Sequence, residues 1–167
     1  MNQLLGSLEY DPERGSLSLQ SARYVLTPPS LLMEIQKNVE GEHGREAAEL
    51  FVEAGVGEGA SLAGRFRDVF GYPPEQVLSS VAFMLSESGW GTFSVEMMNL
   101  EGRELVFKVL ESPFAEIYGP SIQPVCHVVL GLLRGVGLVV FGAETTGMEV
   151  QCAAKGDTCC RFVVSAK

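Results

Sequence analysis

Residues 149–162 read EVQCAAKGDTCCRF, so three of the chain's four cysteines and a glutamate crowd into one short stretch. A disulfide, a buried apolar hairpin or a metal site would each explain the crowding, and each constrains the surrounding fold. If residues 144–164 form a hairpin turning at Lys155, Gly156 and Asp157, Cys152 falls opposite Cys160 on one face of the strand pair. Glu149 lies three residues before Cys152, on the other face of a regular strand. Its convergence with the sulfurs requires a bulge or a strand end between them. Cys159 points away from Cys160 in a regular strand and reads as packing.

The fourth cysteine, Cys126, follows Pro124 in the first turn of an expected helix, where unpaired N–H groups and the helix dipole favour a thiolate. The candidate ligands are then Cys126, Glu149, Cys152 and Cys160. Three thiolates and one carboxylate suit a closed tetrahedral Zn²⁺ with a structural role, and suit iron less well. The competing reading is that these cysteines fill a core as small hydrophobes, since the paired CxxC knuckles that mark many zinc sites are absent. The N-terminal MNQLLGSLEYDPERG has no basic region followed by an apolar run. The expectation is a cytoplasmic protein with reduced thiols, which disfavours the disulfide.

Twelve Lys and Arg against 21 Asp and Glu give a formal charge of −9, a field that repels phosphate backbones and anionic lipid, so nucleic acid is excluded as a direct partner. With 46% hydrophobic residues the chain can bury one core, and residues 1–167 read as a single domain. Residues 125–142, VCHVVLGLLRGVGLVVFG, approach membrane-span length but are interrupted by His127, Arg134 and glycines, which indicates a buried core helix and no membrane span.

Leu17, Leu19 and RYVL (residues 23–26) suggest strands. TPPSLLMEIQKNV reads as a helix with Thr27 as cap and Pro28 in the first turn. Ala47, Leu50, Phe51 and Ala54 recur at helical spacing opposite a charged face of Arg45, Glu49 and Glu53. After GVGEGASLAG a further helical segment runs to about Phe70. Pro73 opens another, with Val77, Val81, Met84 and Leu85 along its buried side. The period then changes to two: Phe93, Val95 and Met97 alternate with polar residues, as do Leu105, Phe107 and Val109, which predicts a hairpin joined through residues 99–103. Pro124 opens the Gly-rich helix, and the cysteine hairpin ends the chain. Strand, helices, hairpin, helix, hairpin is the order of an α+β domain with helices packed on an antiparallel sheet.

Gly55, Gly57 and Gly59 follow a helix, whereas a dinucleotide-binding glycine motif follows a strand, so a bend or close helix packing is the better explanation. Gly131, Gly135 and Gly137 each cost about 1 kcal/mol inside a helix. Close backbone approach to another helix or to a partner subunit offsets that cost. Neither a phosphate cradle nor a Ser/His/Asp or Cys/His dyad is evident, and the chain reads as a non-enzyme.

PVCHVVLGLLRGVG and MEVQCAAKGDTCCRFVV together resemble the 4-vinyl reductase (4VR) domain: a Pro-Val-Cys helix start, Glu-x-x-Cys, and Gly-Asp before a final Cys-x-Phe. RYVLTPPSLLMEIQKNVEGEHGREAAELFVEAGVGEGASLAGRF is similar to the upstream part of the same module in phenol- and toluene-responsive activators. The resemblance implies a TRAPP-like fold, a homodimer, and a small-molecule sensor with a closed apolar pocket that signals through a partner protein. It also implies a structural Zn²⁺ on Cys126, Glu149, Cys152 and Cys160. Trp90, Phe107, Val109, Phe114 and Tyr118 are the expected pocket residues, and each could equally be ordinary core. Phenol sensors carry a Trp where VFKVLESPFAEIYG has Val109, and neither His43 nor His127 matches their ligand-gripping His. Losing those donors favours an apolar ligand, a hydrocarbon, lipid or tetrapyrrole-like molecule, over phenol. Two alternatives carried by the resemblance are an accessory protein or reductase of tetrapyrrole synthesis, and a ligand-free TRAPP-like adaptor.

Overall fold

The computed structural model describes residues 3–19, 22–44 and 46–167. Helix α1 (Gln3–Gly6) leads into a small antiparallel sheet of β1 (Glu9–Asp11), β2 (Ser16–Leu19) and β3 (Ala22–Tyr24). Three helices follow, α2 (Pro29–His43), α3 (Glu46–Asp68) and α4 (Pro74–Glu87), and then the hairpin β4 (Thr92–Asn99) and β5 (Glu104–Leu110). The short α5 (Pro113–Tyr118) precedes α6 (His127–Phe141), and β6 (Thr145–Gln151), a 3-10 turn (Ala153–Lys155) and β7 (Cys160–Ala166) complete the order. The second sheet, β4-β5-β7-β6, is antiparallel throughout. Helix α4 lies on β4, α6 lies on β6 and β7, and α3 packs on α6. The expected α+β architecture is the one found.

Period-2 alternation sets the inner face of the sheet. Leu105, Phe107 and Val109 of β5 stand in register with Val164, Phe162 and Cys160 of β7, and all six are buried. One consequence is that Cys160 faces the helices at one end of a continuous apolar stripe. In β4 the alternation fails beyond Val95, where a bulge leaves both Met97 and Met98 exposed.

Several local expectations are corrected. The N-cap of α2 is Pro28, in extended conformation with no side-chain cap, and not Thr27. Pro29 at the first helical position explains this, because a proline excludes the preceding residue from helical geometry and needs no capped N–H. Strand β3 ends at Tyr24, and Val25 and Leu26 are exposed. The residues around the glycine cluster form no bend: α3 is one unbroken helix from Glu46 to Asp68. Its buried stripe is Ala47, Val52, Gly55, Gly59 and Ala63, while Leu50 and Ala54 face out. Arg45 of the expected charged face lies outside the described residues.

The stripe is displaced because glycine, not leucine, fits the α3–α6 crossing. A Cβ added to Gly59 would overlap the Leu132 backbone, and one on Gly131 or Gly135 would overlap the carbonyls of Val52 or Val56. Of the two expected origins of the glycines, close helix packing is therefore present. Gly137 plays a different part, sitting under Val164 and Thr145 of the sheet. Helix α6, expected from Pro124, begins only at His127, with Cys126 as its N-cap residue. No helix among the described residues is long and apolar enough to cross a membrane.

Candidate metal centre and the adjoining cavities

Four chain segments deliver one ligand atom each to a single point. Cys126 sits at the start of α6, Glu149 on β6, Cys152 just past the end of β6, and Cys160 at the start of β7. Their sulfurs and a carboxylate oxygen all lie within 4.8 Å of one another, and all four residues are buried. The strand break anticipated between Glu149 and Cys152 is present: Glu149 pairs with Phe162 and Gln151 with Arg161, which leaves Val150 as the extra residue. That bulge turns the carboxylate toward the sulfurs. The turn is longer than a three-residue hairpin loop, running through the 3-10 segment to Gly156 in the left-handed region at φ 93°.

No disulfide forms, and the four thiols are free. Cys126 Sγ and Cys160 Sγ stand 3.7 Å apart, far beyond a covalent S–S bond of about 2.05 Å. Tetrahedral coordination with metal–sulfur bonds of about 2.3 Å would separate two sulfurs by about 3.8 Å. The spacing is thus that of two ligands on one ion.

Electrostatics point the same way. Glu149 Oε2 accepts the Cys126 N–H at 2.9 Å, but Glu149 Oε1 is buried with no hydrogen-bond partner. An orphaned buried carboxylate oxygen is costly unless a cation or proton satisfies it. Burial, and then the negative charge of Cys152, pushes the Glu149 carboxyl up to about 8. Hydrogen bonding to Cys152 and Cys160 holds the Cys126 thiol protonated, and the same bonds stabilise Cys152 as the thiolate. Without a cation the cluster therefore retains protons. A divalent ion would allow all four groups to ionise.

Several supporting residues are not among the expected ones. Ser112 caps α5 and places its Oγ 3.6 Å from Cys126 Sγ. Asp157 accepts the Cys152 N–H at 2.8 Å, and the Ala153 N–H reaches Cys160 Sγ at 3.4 Å. Gln36 of α2, fully buried, donates to Val125 O at 2.9 Å and to Glu40 Oε1 at 2.8 Å. Ser-Pro at residues 112–113 is a readable helix start. Gln36 and Asp157 carry no comparable signal, because their partners are backbone groups distant in sequence or across a turn. Cys159 is buried outside the cluster, near Gln151 Oε1.

The five expected pocket residues divide. Phe107, Val109 and Phe114 are buried in the main core, and Trp90 packs edge-on against Phe114 with ring centroids 5.0 Å apart. Tyr118 instead lines a cavity of about 380 Å³ beside the metal cluster, together with Glu40, Gln123, Val125 and His127. There Tyr118 Oη donates to Glu40 at 2.5 Å, and His127 Nε2 is 3.5 Å from the same carboxylate. A larger cavity, about 600 Å³, opens between α3, α4 and the N-terminal segment, and none of the five lines it.

Comparison with known proteins adds to this geometry. The 4-vinyl reductase (4VR) domain family model matches residues 105–166, which include Cys126, Glu149, Cys152 and Cys160. The phenol regulator MopR of Acinetobacter guillouiae is 26% identical over 98% of this chain, which spans about a third of that protein, 31% of its length. Among solved structures, the phenol-responsive sensory domain of the transcription activator PoxR, with phenol, superposes with a TM-score of 0.82 at 22% identity, covering 98% of this chain and 87% of that one. A trafficking protein particle complex subunit 3 from Naegleria fowleri, covalently bound to palmitic acid, superposes at 0.56 with 14% identity, covering 83% and 95%. The fold is that of these sensory and TRAPP-like domains.

Proposed function

We propose that this chain is a small-molecule sensing domain whose C-terminal segment is fixed by one structural Zn²⁺ on Cys126, Glu149, Cys152 and Cys160. The observation that carries the metal is the convergence of three sulfurs and a carboxylate oxygen within 4.8 Å, with Glu149 Oε1 otherwise unsatisfied. Three thiolates and a carboxylate complete a tetrahedron and leave no position for water, so the ion stabilises and does not catalyse. Such ligands require reduced thiols, in keeping with a cytoplasmic setting.

The likeness to MopR and to the PoxR sensory domain supports sensing. In this reading the ligand is apolar or aromatic and lies against Trp90, Phe107, Val109, Phe114 and Tyr118, behind the segment that the metal secures. A homodimer passes the signal to a partner protein, and the domain catalyses nothing.

Elemental analysis with native mass spectrometry on untagged protein tests both halves. One zinc per chain and a co-purifying or titrating apolar ligand are expected. Zinc well below one per chain from metal-replete cells removes the metal reading. Failure of any apolar or aromatic compound to bind removes the sensing one.

A further inference from the structure

The cavity of about 600 Å³ between α3, α4 and the N-terminal segment lies apart from the metal cluster and from the interior residues assigned to sensing. Its volume is in the range of small-molecule sites, about 300–1,000 Å³. Three rings form one wall: Phe66 and Tyr72 lie nearly parallel with centroids 6.1 Å apart, and Phe70 stands 5.6 Å from Tyr72. Phe83 and Met84 of α4 form the opposite wall, and Leu4 and Leu19 close one end. Phe70 and Phe83 remain 46% and 51% exposed, so the mouth is an open pair of aromatic rings.

The polar groups inside are unbalanced. Arg65 is half-buried in this lining, and it makes no ion pair or side-chain hydrogen bond with any described residue. No acidic residue lines the cavity. Ser80 also has no side-chain hydrogen bond among the described residues, while Ser79 spends its hydroxyl proton on Gln76 O at 3.1 Å. The cavity thus offers a forked cation and a hydroxyl donor with no anion to receive them. In a chain of net charge −9, a cation without an acidic neighbour is the exception. A guanidinium recognises a carboxylate through two parallel N–H···O bonds, and aromatic walls favour stacked or edge-on rings.

We propose that this cavity is a binding site for a small aromatic carboxylate, with Arg65 gripping the carboxylate, Ser80 donating to it, and the ring held between Phe66, Tyr72 and Phe83. The site goes beyond the sensing reading and does not depend on it: a neutral ligand could occupy the interior while an aromatic acid binds here.

The probes are 2-naphthoate and its neutral counterpart 2-naphthol, titrated into the full, metal-replete chain by calorimetry, with methionine methyl groups followed by NMR. Met84 lines this cavity, whereas Met33 is buried in the main core. Naphthoate is expected to shift the Met84 methyl and leave Met33 in place. Arg65→Gln should weaken naphthoate by on the order of 10- to 100-fold, the scale of a charge-assisted hydrogen-bond pair, with naphthol unaffected. Ser80→Ala should give a smaller loss in the same direction, and unchanged thermal melting of both variants shows that the fold is intact. No naphthoate binding, equal loss of acid and alcohol in Arg65→Gln, or an unaltered affinity would each overturn the proposal. Shifts at Met33 without Met84 would place the acid in the interior, overturning this site while leaving the sensing reading standing.

Discussion

The backbone N–H of Cys126 donates to Glu149 Oε2 across 2.9 Å, and this bond joins the start of α6 to the bulge of β6. Both residues belong to the metal cluster, so the ion, once bound, cross-links the helix layer to the sheet edge. Chelation is therefore expected to loosen the join between β6 and α6 while leaving the β4–β5 hairpin paired. The measurement is hydrogen exchange before and after metal removal: protection should fall at residues 145–160 and at the first turn of α6. At a thousandfold excess of free zinc over its dissociation constant the ion contributes about 4 kcal/mol. Cys160→Ser should lose a comparable amount together with the zinc, and uniform protection across the sheet in the metal-free chain would refute the cross-link.

The pH behaviour of the metal-free chain follows from Glu149. Burial and the Cys152 charge raise its carboxyl to about 8 from an ordinary 4.5. The native state thus holds this proton where the unfolded state has released it. The stabilisation is fully present below about 4.5 and is lost as pH rises toward about 8, with a limiting slope of about 1.4 kcal/mol per pH unit. Chelated wild type should melt at lower temperature at pH 8 than at pH 5.5, and Glu149→Gln, which cannot ionise, should flatten this slope. Zinc reverses the trend, because its ligands must deprotonate to bind. A chelated Glu149→Gln variant with the full wild-type slope would assign the pH dependence to other groups.

Ligand identities were legible in the sequence to the extent that strand periodicity and residue chemistry fix them. Cys152 and Cys160 follow from a hairpin, and the awkward spacing of Glu149 correctly required a break in the strand, found at Val150. Cys126 was legible as a helix-start thiol although the helix begins three residues later than Pro124 suggested. The face of α3 was not legible. Hydropathy places Leu50 and Ala54 inside, but the close crossing with α6 selects residues by the absence of a Cβ, which no apolar scale records. Likewise Gln36 reads as a surface polar residue, although a carbonyl distant in sequence satisfies it in the core.

The glycine crossing gives a stability test independent of the metal. A Cβ on Gly59 would come within 2.9 Å of Leu132 Cα, and the obstructing atoms are backbone, which cannot swing aside. Gly59→Ala is expected to cost about 1–3 kcal/mol or more despite its better helix propensity. Gly57→Ala, in the same helix with open space around the new methyl, should be neutral or stabilising. Chemical denaturation of the two variants checks this, and equal effects would show that α3 and α6 do not approach so closely in solution.

Gln36 offers the last test, because it ties α2 to the residue before a ligand. Its Nε2 bridges Val125 O and Glu40 Oε1, and Glu40 in turn accepts from Tyr118. Gln36→Leu keeps a similar volume but leaves the buried Val125 carbonyl without this donor, which costs about 1–3 kcal/mol. Part of that strain falls on Cys126, one residue on, so zinc should be released to a chromogenic chelator faster than from wild type. Tyr118→Phe removes a bond one step further from the metal and should lower stability without changing the release rate. If Gln36→Leu lowers the melting temperature but releases zinc at the wild-type rate, α2 supports the fold without positioning the metal site.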